Sequence, residues 1–169
     1  IQYYLDYLGL TSKDLILSGL SMGTFPSLYY GAAFEPRAVI VGKPLANIGT
    51  IARRGRLEAP GVFNTSFDVL RHQTDGVSSQ HMEDLDQIFW NNFKKADFSN
   101  TTFGFSYMKD EDMDSKAYDQ LVEHLCYTGA KILSKGTDGR HNDDTNTNVA
   151  WFLHFYRMIL KSDFGRGDK

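Results

Sequence analysis

Short apolar runs alternate with stretches of helical periodicity along most of the chain. The runs are bounded by turn residues, which is typical of strands buried in a parallel sheet. They are DLILS (residues 14–18), AVIVG (38–42), the more alternating TFGFSYM (102–108) and KILS (131–134). Helical patterns cover about residues 22–33, 115–128 and 147–161. This order predicts an α/β fold in which helices cover both faces of a parallel sheet.

The interval between the second and third predicted strands is too long for a simple crossover. Within it, apolar residues recur at helical spacing on one face while charged residues occupy the others. The apolar residues are Met82, Leu85, Phe89 and Phe93. We interpret about residues 50–100 as a helical cap inserted into a single domain that spans residues 1–169.

Composition and charge narrow the class of protein. The 169 residues suffice for one domain with a core, and the hydrophobic fraction of 41% excludes a disordered chain. A formal net charge of -3 provides no broad basic field, so we do not expect nucleic acid as a partner. No apolar run approaches the roughly 20 residues that span a bilayer, and we expect a soluble protein. Because the chain opens on Ile1 inside a helical pattern, we also expect a missing part upstream.

The segment GLSMG, residues 19–23, lies where the first strand is predicted to turn into a helix. A sharp turn would make Ser21 protrude, the two flanking glycines would relieve crowding, and the N–H of Met22 would point toward a developing oxyanion. We therefore predict Ser21 as a nucleophile and Met22 as an oxyanion donor. Pro26 disfavours a regular helix here, so either the first turn is irregular or the helix begins near Pro26.

Candidates for a base and an acid follow later strands, in the chain order of α/β-hydrolases. Of the five histidines, His141 is the one that follows a late strand in a glycine-rich loop, GTDGRHNDD. The acidic segment KDEDMD follows the third strand and offers Asp110, Glu111 or Asp112 as the acid that orients the imidazole. Spacing alone does not separate these three carboxylates. The set predicts serine-dependent acyl transfer or ester hydrolysis.

The acidic segment also imitates the start of a calcium-binding loop, through Asp110, Asp112 and Asp114. Ser115 stands where that loop needs glycine, and Leu121 stands where it needs a bidentate glutamate, so we exclude calcium. The chain has no CxxC or HExxH motif, and we expect no metal and no bound cofactor.

Two arginines, Arg53 and Arg54, follow the second strand closely. They are weak candidates to bind an anionic group, such as a phosphate of an acyl donor or a sugar nucleotide. An exposed basic turn is the alternative interpretation.

Four segments, SGLSMGTF, VGKPL, KDEDMD and GRHND, together resemble the carboxyl-terminal part of the second accessory secretory protein family of the accessory Sec system. That system exports serine-rich repeat glycoprotein adhesins in certain bacteria, and the resemblance covers essentially the whole chain. It implies an α/β-hydrolase-like enzyme that O-acetylates N-acetylglucosamine on the adhesin and supports its export. Carried over position by position, it places the nucleophile at Ser21, the acid at Glu111 and the base at His141.

The same resemblance implies partners and a location. The expected partners are other accessory secretory proteins, the accessory Sec motor and the serine-rich repeat glycoprotein. We expect a cytoplasmic protein that can associate peripherally with the inner face of the membrane. The second oxyanion donor would come from a loop upstream of Ile1, so we expect a carboxyl-terminal portion that lacks the first strands of the sheet. The acetyl donor is not identified, and a simple carboxylesterase or a non-catalytic scaffold of the secretion complex are the alternatives.

Overall fold

The sheet is parallel throughout the part of the chain that is described. The computed structural model describes residues 1–51, 79–110, 112–143 and 145–166. Within these ranges four strands pair in the order β1-β2-β3-β4, so strands that are consecutive in the sequence are neighbours in the sheet. They are β1 (Ile16–Leu20), β2 (Ala38–Gly42), β3 (Thr102–Met108) and β4 (Lys131–Thr137). The predicted parallel sheet is confirmed.

Helices precede and connect these strands, and the last helix of the chain covers one face of the sheet. The helices are α1 (Gln2–Leu8), α2 (Thr24–Phe34), α3 (Ser79–Phe93), α4 (Asp112–Leu125) and α5 (Thr145–Phe164). Phe155 and Ile159 of α5 pack with Ala38 and Ile40 of β2 in one buried cluster. Gly104 makes room for this helix, since a Cβ there would lie 3.1 Å from the Cβ of Phe155.

The opposite face of the sheet is covered by α2 and α4. Side chains alternate between faces along a strand, so Val39 points away from the α5 cluster. It meets α2 where that helix carries Gly31, at which an added Cβ would lie 2.9 Å from a methyl group of Val39. On β3, the ring of Phe105 makes an edge contact with Tyr118 of α4 at 5.7 Å. Helices therefore cover both faces, as the sequence predicts.

The start of α2 explains how the chain tolerates Pro26. A 3-10 turn, Ser21–Gly23, comes first, and α2 begins at Thr24. Pro26 is the third residue of the helix, where the backbone N–H has no intrahelical partner to lose. Both interpretations offered above hold, since the first turn is irregular and the regular helix begins close to Pro26.

The chain divides into two compact units, Ile1–Leu45 with Phe93–Lys169, and Ala46–Asn92. Within the second unit, α3 holds a helical turn at residues 48–51. The carboxylate of Asp86 accepts hydrogen bonds from the N–H groups of Gly49 (2.7 Å) and Thr50 (3.1 Å). These N–H groups open a helical turn and would otherwise lack partners. The predicted helix of the insertion is present, and its role as a cap over a site stays a prediction.

Candidate active site

Ser21 follows β1 directly and occupies a strained backbone conformation. Its φ is +51°, in the left-handed region that residues with a side chain seldom adopt. Such a conformation persists only when the surrounding structure holds it, and it is found at functional turns. The geometry is that of the strand-to-helix turn predicted from GLSMG, with Ser21 at its tip.

The first glycine of GLSMG permits a very close backbone approach. A Cβ at Gly19 would lie 2.1 Å from the carbonyl oxygen of Gly23 and 2.8 Å from the hydroxyl of Ser27, closer than atoms can pack. At Gly23, by contrast, no heavy atom of the described residues lies within 4 Å of the Cβ position, and φ is an ordinary -68°. The interpretation that both glycines relieve crowding therefore holds at Gly19 and is wrong at Gly23.

The contrast between these glycines gives a stability prediction. Gly19→Ala is expected to lower the free energy of unfolding by about 3 kcal/mol or more, because the added methyl group displaces the backbone of the turn. Gly23→Ala, the matched control, is expected to leave stability unchanged or raise it by about 0.5 kcal/mol, because alanine adopts this backbone readily. Denaturant unfolding of both variants tests the pair. Equal stabilities would contradict the close approach at Gly19.

Thr24 fastens the turn to the segment after β2. Its side chain is fully buried. The hydroxyl donates a hydrogen bond to the carbonyl oxygen of Ser21 (2.7 Å) and accepts one from the N–H of Leu45 (2.8 Å). A single hydroxyl thus joins the turn at Ser21 to the neighbouring strand end and helps to hold its strained backbone.

Three side chains form one hydrogen-bonded line at the carboxyl edge of the sheet. The Oγ of Ser21 lies 2.7 Å from Nε2 of His141, and Nδ1 of His141 lies 2.6 Å from Oδ1 of Asp114. Asp114 is fully buried and His141 is 6% exposed, so water screens this pair weakly. With Nδ1–H donating to the carboxylate, Nε2 can accept the serine proton, which is the arrangement of an activated serine nucleophile.

The acid in contact with His141 is not one of the three candidates from the sequence. Glu111 and the side chain of Asp112 lie outside the described residues. Asp110 is exposed and bonds elsewhere: its Oδ2 accepts a hydrogen bond from the N–H of Gly139 (2.7 Å). The carboxylate at Nδ1 is that of Asp114, for which the sequence pattern indicated only the imitation of a calcium loop. Asp114 lies in the first turn of α4, close in the chain to the carboxyl end of β3, and this position is the feature that could have indicated it as the acid.

The histidine loop is attached to the turn after β3 at several points. The N–H of Asp110 donates to the carbonyl oxygen of Gly139 (3.2 Å), which complements the side-chain bond described above. Nearby, Lys109 and Asp138 form an ion pair at 2.6 Å. A hydrogen bond from the Lys109 ammonium lowers the pKa of the Asp138 carboxyl. Since both side chains of this pair are exposed, it contributes little to stability. The two hydrogen bonds between Asp110 and Gly139 therefore join the histidine loop to the turn after β3.

The remaining predicted residues are placed as follows. Met22 is 47% exposed and comes directly after Ser21 in the 3-10 turn. Its role as an oxyanion donor stays a prediction. Arg53 and Arg54 lie outside the described residues. Among the residues that the structure describes, no group of three or more metal-ligating side chains comes together.

No helix in the described ranges is both long and apolar enough to span a membrane.

Comparison with known sequences identifies relatives over almost the whole chain. A sequence model of the accessory Sec system GspB-transporter family matches residues 1–166. The second accessory Sec system protein of Streptococcus gordonii is 50% identical over 98% of this chain, and that of Staphylococcus aureus is 46% identical over 96%. The chain spans 32% and 31% of the length of these two curated relatives.

Comparison with solved structures agrees with the sequence relatives and identifies the fold. A chain of the Glycosylation Associate Protein (Gap123) complex from Streptococcus agalactiae is 44% identical, with a TM-score of 0.89 over 99% of this chain and 32% of its own length. The capsule O-acetyltransferase of Neisseria meningitidis serogroup A superposes with a TM-score of 0.68 at 15% identity, over 95% of this chain and 61% of its own. A monoacylglycerol lipase of Paleococcus ferrophilus superposes with a TM-score of 0.53 at 15% identity, over 97% of this chain and 72% of its own. The α/β-hydrolase-like fold predicted from the sequence is confirmed.

Proposed function

The chain belongs to the accessory Sec system GspB-transporter family, and we propose that it carries a serine-dependent acyltransferase site. The observation that carries the proposal is the hydrogen-bonded line of Ser21, His141 and Asp114 at the strained turn after β1. The proposed reaction is O-acetylation of N-acetylglucosamine on a serine-rich repeat glycoprotein adhesin, coupled to its export.

The proposed chemistry proceeds through an acetyl-enzyme. The Oγ of Ser21 attacks the acetyl carbonyl carbon of a donor while Nε2 of His141 takes the hydroxyl proton. The tetrahedral intermediate then expels the donor's leaving group, which receives that proton from His141. A sugar hydroxyl next attacks the acetyl-enzyme, gives its proton to His141, and leaves as the acetyl ester while Ser21 regains a proton. The N–H of Met22 is the proposed donor to the oxyanion in both tetrahedral states.

The acid of the proposed triad is Asp114, because its carboxylate bonds Nδ1 of His141 at 2.6 Å. It would hold the imidazole in the tautomer that accepts the serine proton and stabilise the imidazolium that forms. The family resemblance instead implies Glu111, so the two carboxylates are competing hypotheses for one role. Single variants of each are compared in the Discussion.

Transfer to a sugar, as opposed to hydrolysis, requires that water be kept from the acetyl-enzyme. We assign this task to the predicted helical cap of about residues 50–100, and we retain Arg53 and Arg54 as binders of an anionic group on a substrate. A carboxylesterase with the same nucleophile is the nearest alternative. It would differ only in the acceptor of the acetyl group, which would be water instead of a sugar hydroxyl.

The proposed setting follows from the relatives. One relative is a chain of a Gap123 complex, which supports the proposal that this chain works with other accessory secretory proteins. We further propose contact with the accessory Sec motor and with the adhesin at the cytoplasmic face of the membrane. A scaffold without catalysis would use the same partners.

A bacterial strain that carries Ser21→Ala tests the proposed function against the scaffold alternative. Mass spectrometry of the adhesin glycans is expected to show loss of acetyl mass, while the amount of exported adhesin reports the scaffold role separately. Ser18→Ala is the control, because Ser18 is an exposed residue of the same strand. Unchanged acetylation in the Ser21→Ala strain would refute the acyltransferase proposal, whatever happens to export.

A further inference from the structure

Lys43 is a buried lysine in the segment VGKPL, directly after β2. It is 6% exposed, and its φ of +55° is in the left-handed region that side-chain-bearing residues avoid. Its N–H donates to the carbonyl oxygen of Ser106 at 2.7 Å, which extends the pairing of β2 with β3 by one residue. A long charged side chain is thus held inward at the same edge of the sheet as Ser21.

The ammonium of Lys43 donates a hydrogen bond to the backbone carbonyl oxygen of His141. Removing an ammonium from water is costly unless it gains partners, so burial of Lys43 favours the loop position in which this carbonyl faces it. A charge-assisted hydrogen bond is also stronger than a neutral one. His141 is therefore held at two points: Asp114 bonds its ring, and Lys43 bonds its backbone.

We propose that Lys43 is a positioning residue that holds the backbone of His141 at the distance where Nε2 reaches Ser21. The inference rests on the proposed serine chemistry and adds a residue to it. Lys43 touches neither of the reacting atoms, so it acts through His141. Loss of its ammonium should slow the chemical step without weakening reversible binding of a small reagent, since a displaced base impairs proton transfer and not the pocket.

The test measures covalent labelling of Ser21 by a fluorophosphonate in the complete gene product. Lys43→Met, which keeps the length of the side chain and removes its charge, is expected to lower the maximal labelling rate by about tenfold to 100-fold. The reagent concentration at half-maximal rate should stay within about twofold of wild type. Lys13→Met is the matched control, because Lys13 also donates to a backbone carbonyl, that of Glu35 at 3.2 Å, in a loop outside the site. It should label like wild type.

The outcomes separate this inference from the proposed function. If wild type is labelled at Ser21 and folded Lys43→Met is labelled equally fast, the inference is overturned and the proposed function stands. If wild type is not labelled at all, the proposed function is refuted, and the inference about Lys43, which rests on it, is refuted as well. If Lys43→Met does not fold, nuclear magnetic resonance of the wild type provides the test. A scalar coupling across the hydrogen bond from the Lys43 ammonium to the labelled His141 carbonyl supports the inference. A Lys43 ammonium that exchanges with solvent and shows no such coupling overturns it.

Discussion

Ser21→Ala is expected to abolish labelling by a fluorophosphonate and to slow hydrolysis of an activated acetyl ester by about 10⁶-fold, the loss seen when a serine hydrolase loses its nucleophile. Alanine removes the hydroxyl that lies 2.7 Å from Nε2 of His141 and leaves no other group at that position to attack a carbonyl. Since the substitution removes only the hydroxyl and leaves the backbone of the turn as it is, the variant should fold. A melting temperature close to that of the wild type checks this. The rates are measured with purified complete gene product, by gel fluorescence and by release of the ester's leaving group.

Ser18→Ala is again the matched control, with labelling and hydrolysis expected at the wild-type rates. Peptide mapping of the labelled wild type should place the phosphonate on Ser21. Labelling that persists in folded Ser21→Ala, or that maps to a different residue, would contradict the assignment of the nucleophile.

Asp114→Asn is expected to lower the rate of ester hydrolysis by about 10⁴-fold while the protein keeps its fold. Asparagine has nearly the shape of aspartate, but its amide cannot stabilise an imidazolium. It also favours the tautomer of His141 that places a hydrogen on Nε2, where the proton of Ser21 must be accepted. Steady-state kinetics with a small acetyl ester should show the loss in kcat, with KM little changed, because Asp114 is fully buried and bonds Nδ1 of His141, the ring nitrogen that does not contact Ser21.

Glu111→Gln separates the geometry from the family resemblance. If Asp114 is the acid, Glu111→Gln should retain hydrolysis within about tenfold of wild type, since the substitution would then change only a charge outside the triad. The reverse order, with Glu111→Gln inactive and Asp114→Asn active, would return the role to Glu111 as the resemblance implies. Both variants replace a carboxylate with an amide of nearly the same shape, so a difference between their rates reports which of the two residues is the acid.

Much of the fold could be read from apolar periodicity. The strands β2 and β3 have the limits that their apolar runs predict, because buried strands of a parallel sheet are apolar on both faces. The first strand begins later than predicted, at Ile16, and ends later, at Leu20, while the last strand runs further than predicted, to Thr137. Each extension contains a glycine, and that of the last strand also contains Lys135 and Thr137. These residues weaken an apolar pattern, yet pairing with the neighbouring strand maintains both extensions as strands.

The candidate site was only partly readable. The pairing of Ser21 with His141, 120 positions later, was predicted from the chain order and from the shared edge of parallel strands, and the two side chains are in contact. Spacing alone did not separate Asp110, Glu111 and Asp112, since a one-residue change around a helix start turns a carboxylate by about 100°. The bond to His141 comes from Asp114, whose orientation depends on where α4 begins.

The sequence by itself determined the order of strands and helices, the sharp turn that presents Ser21, and the loop that carries His141. These features are local, because they depend on apolar runs, on a glycine that admits a close backbone approach, and on neighbours in the chain. Only the tertiary structure decided which carboxylate bonds His141 and that Lys43 is turned inward onto the same residue. Such contacts join segments that are distant in the chain, and burial selects them, because an interior carboxylate or ammonium must find a partner across the sheet edge.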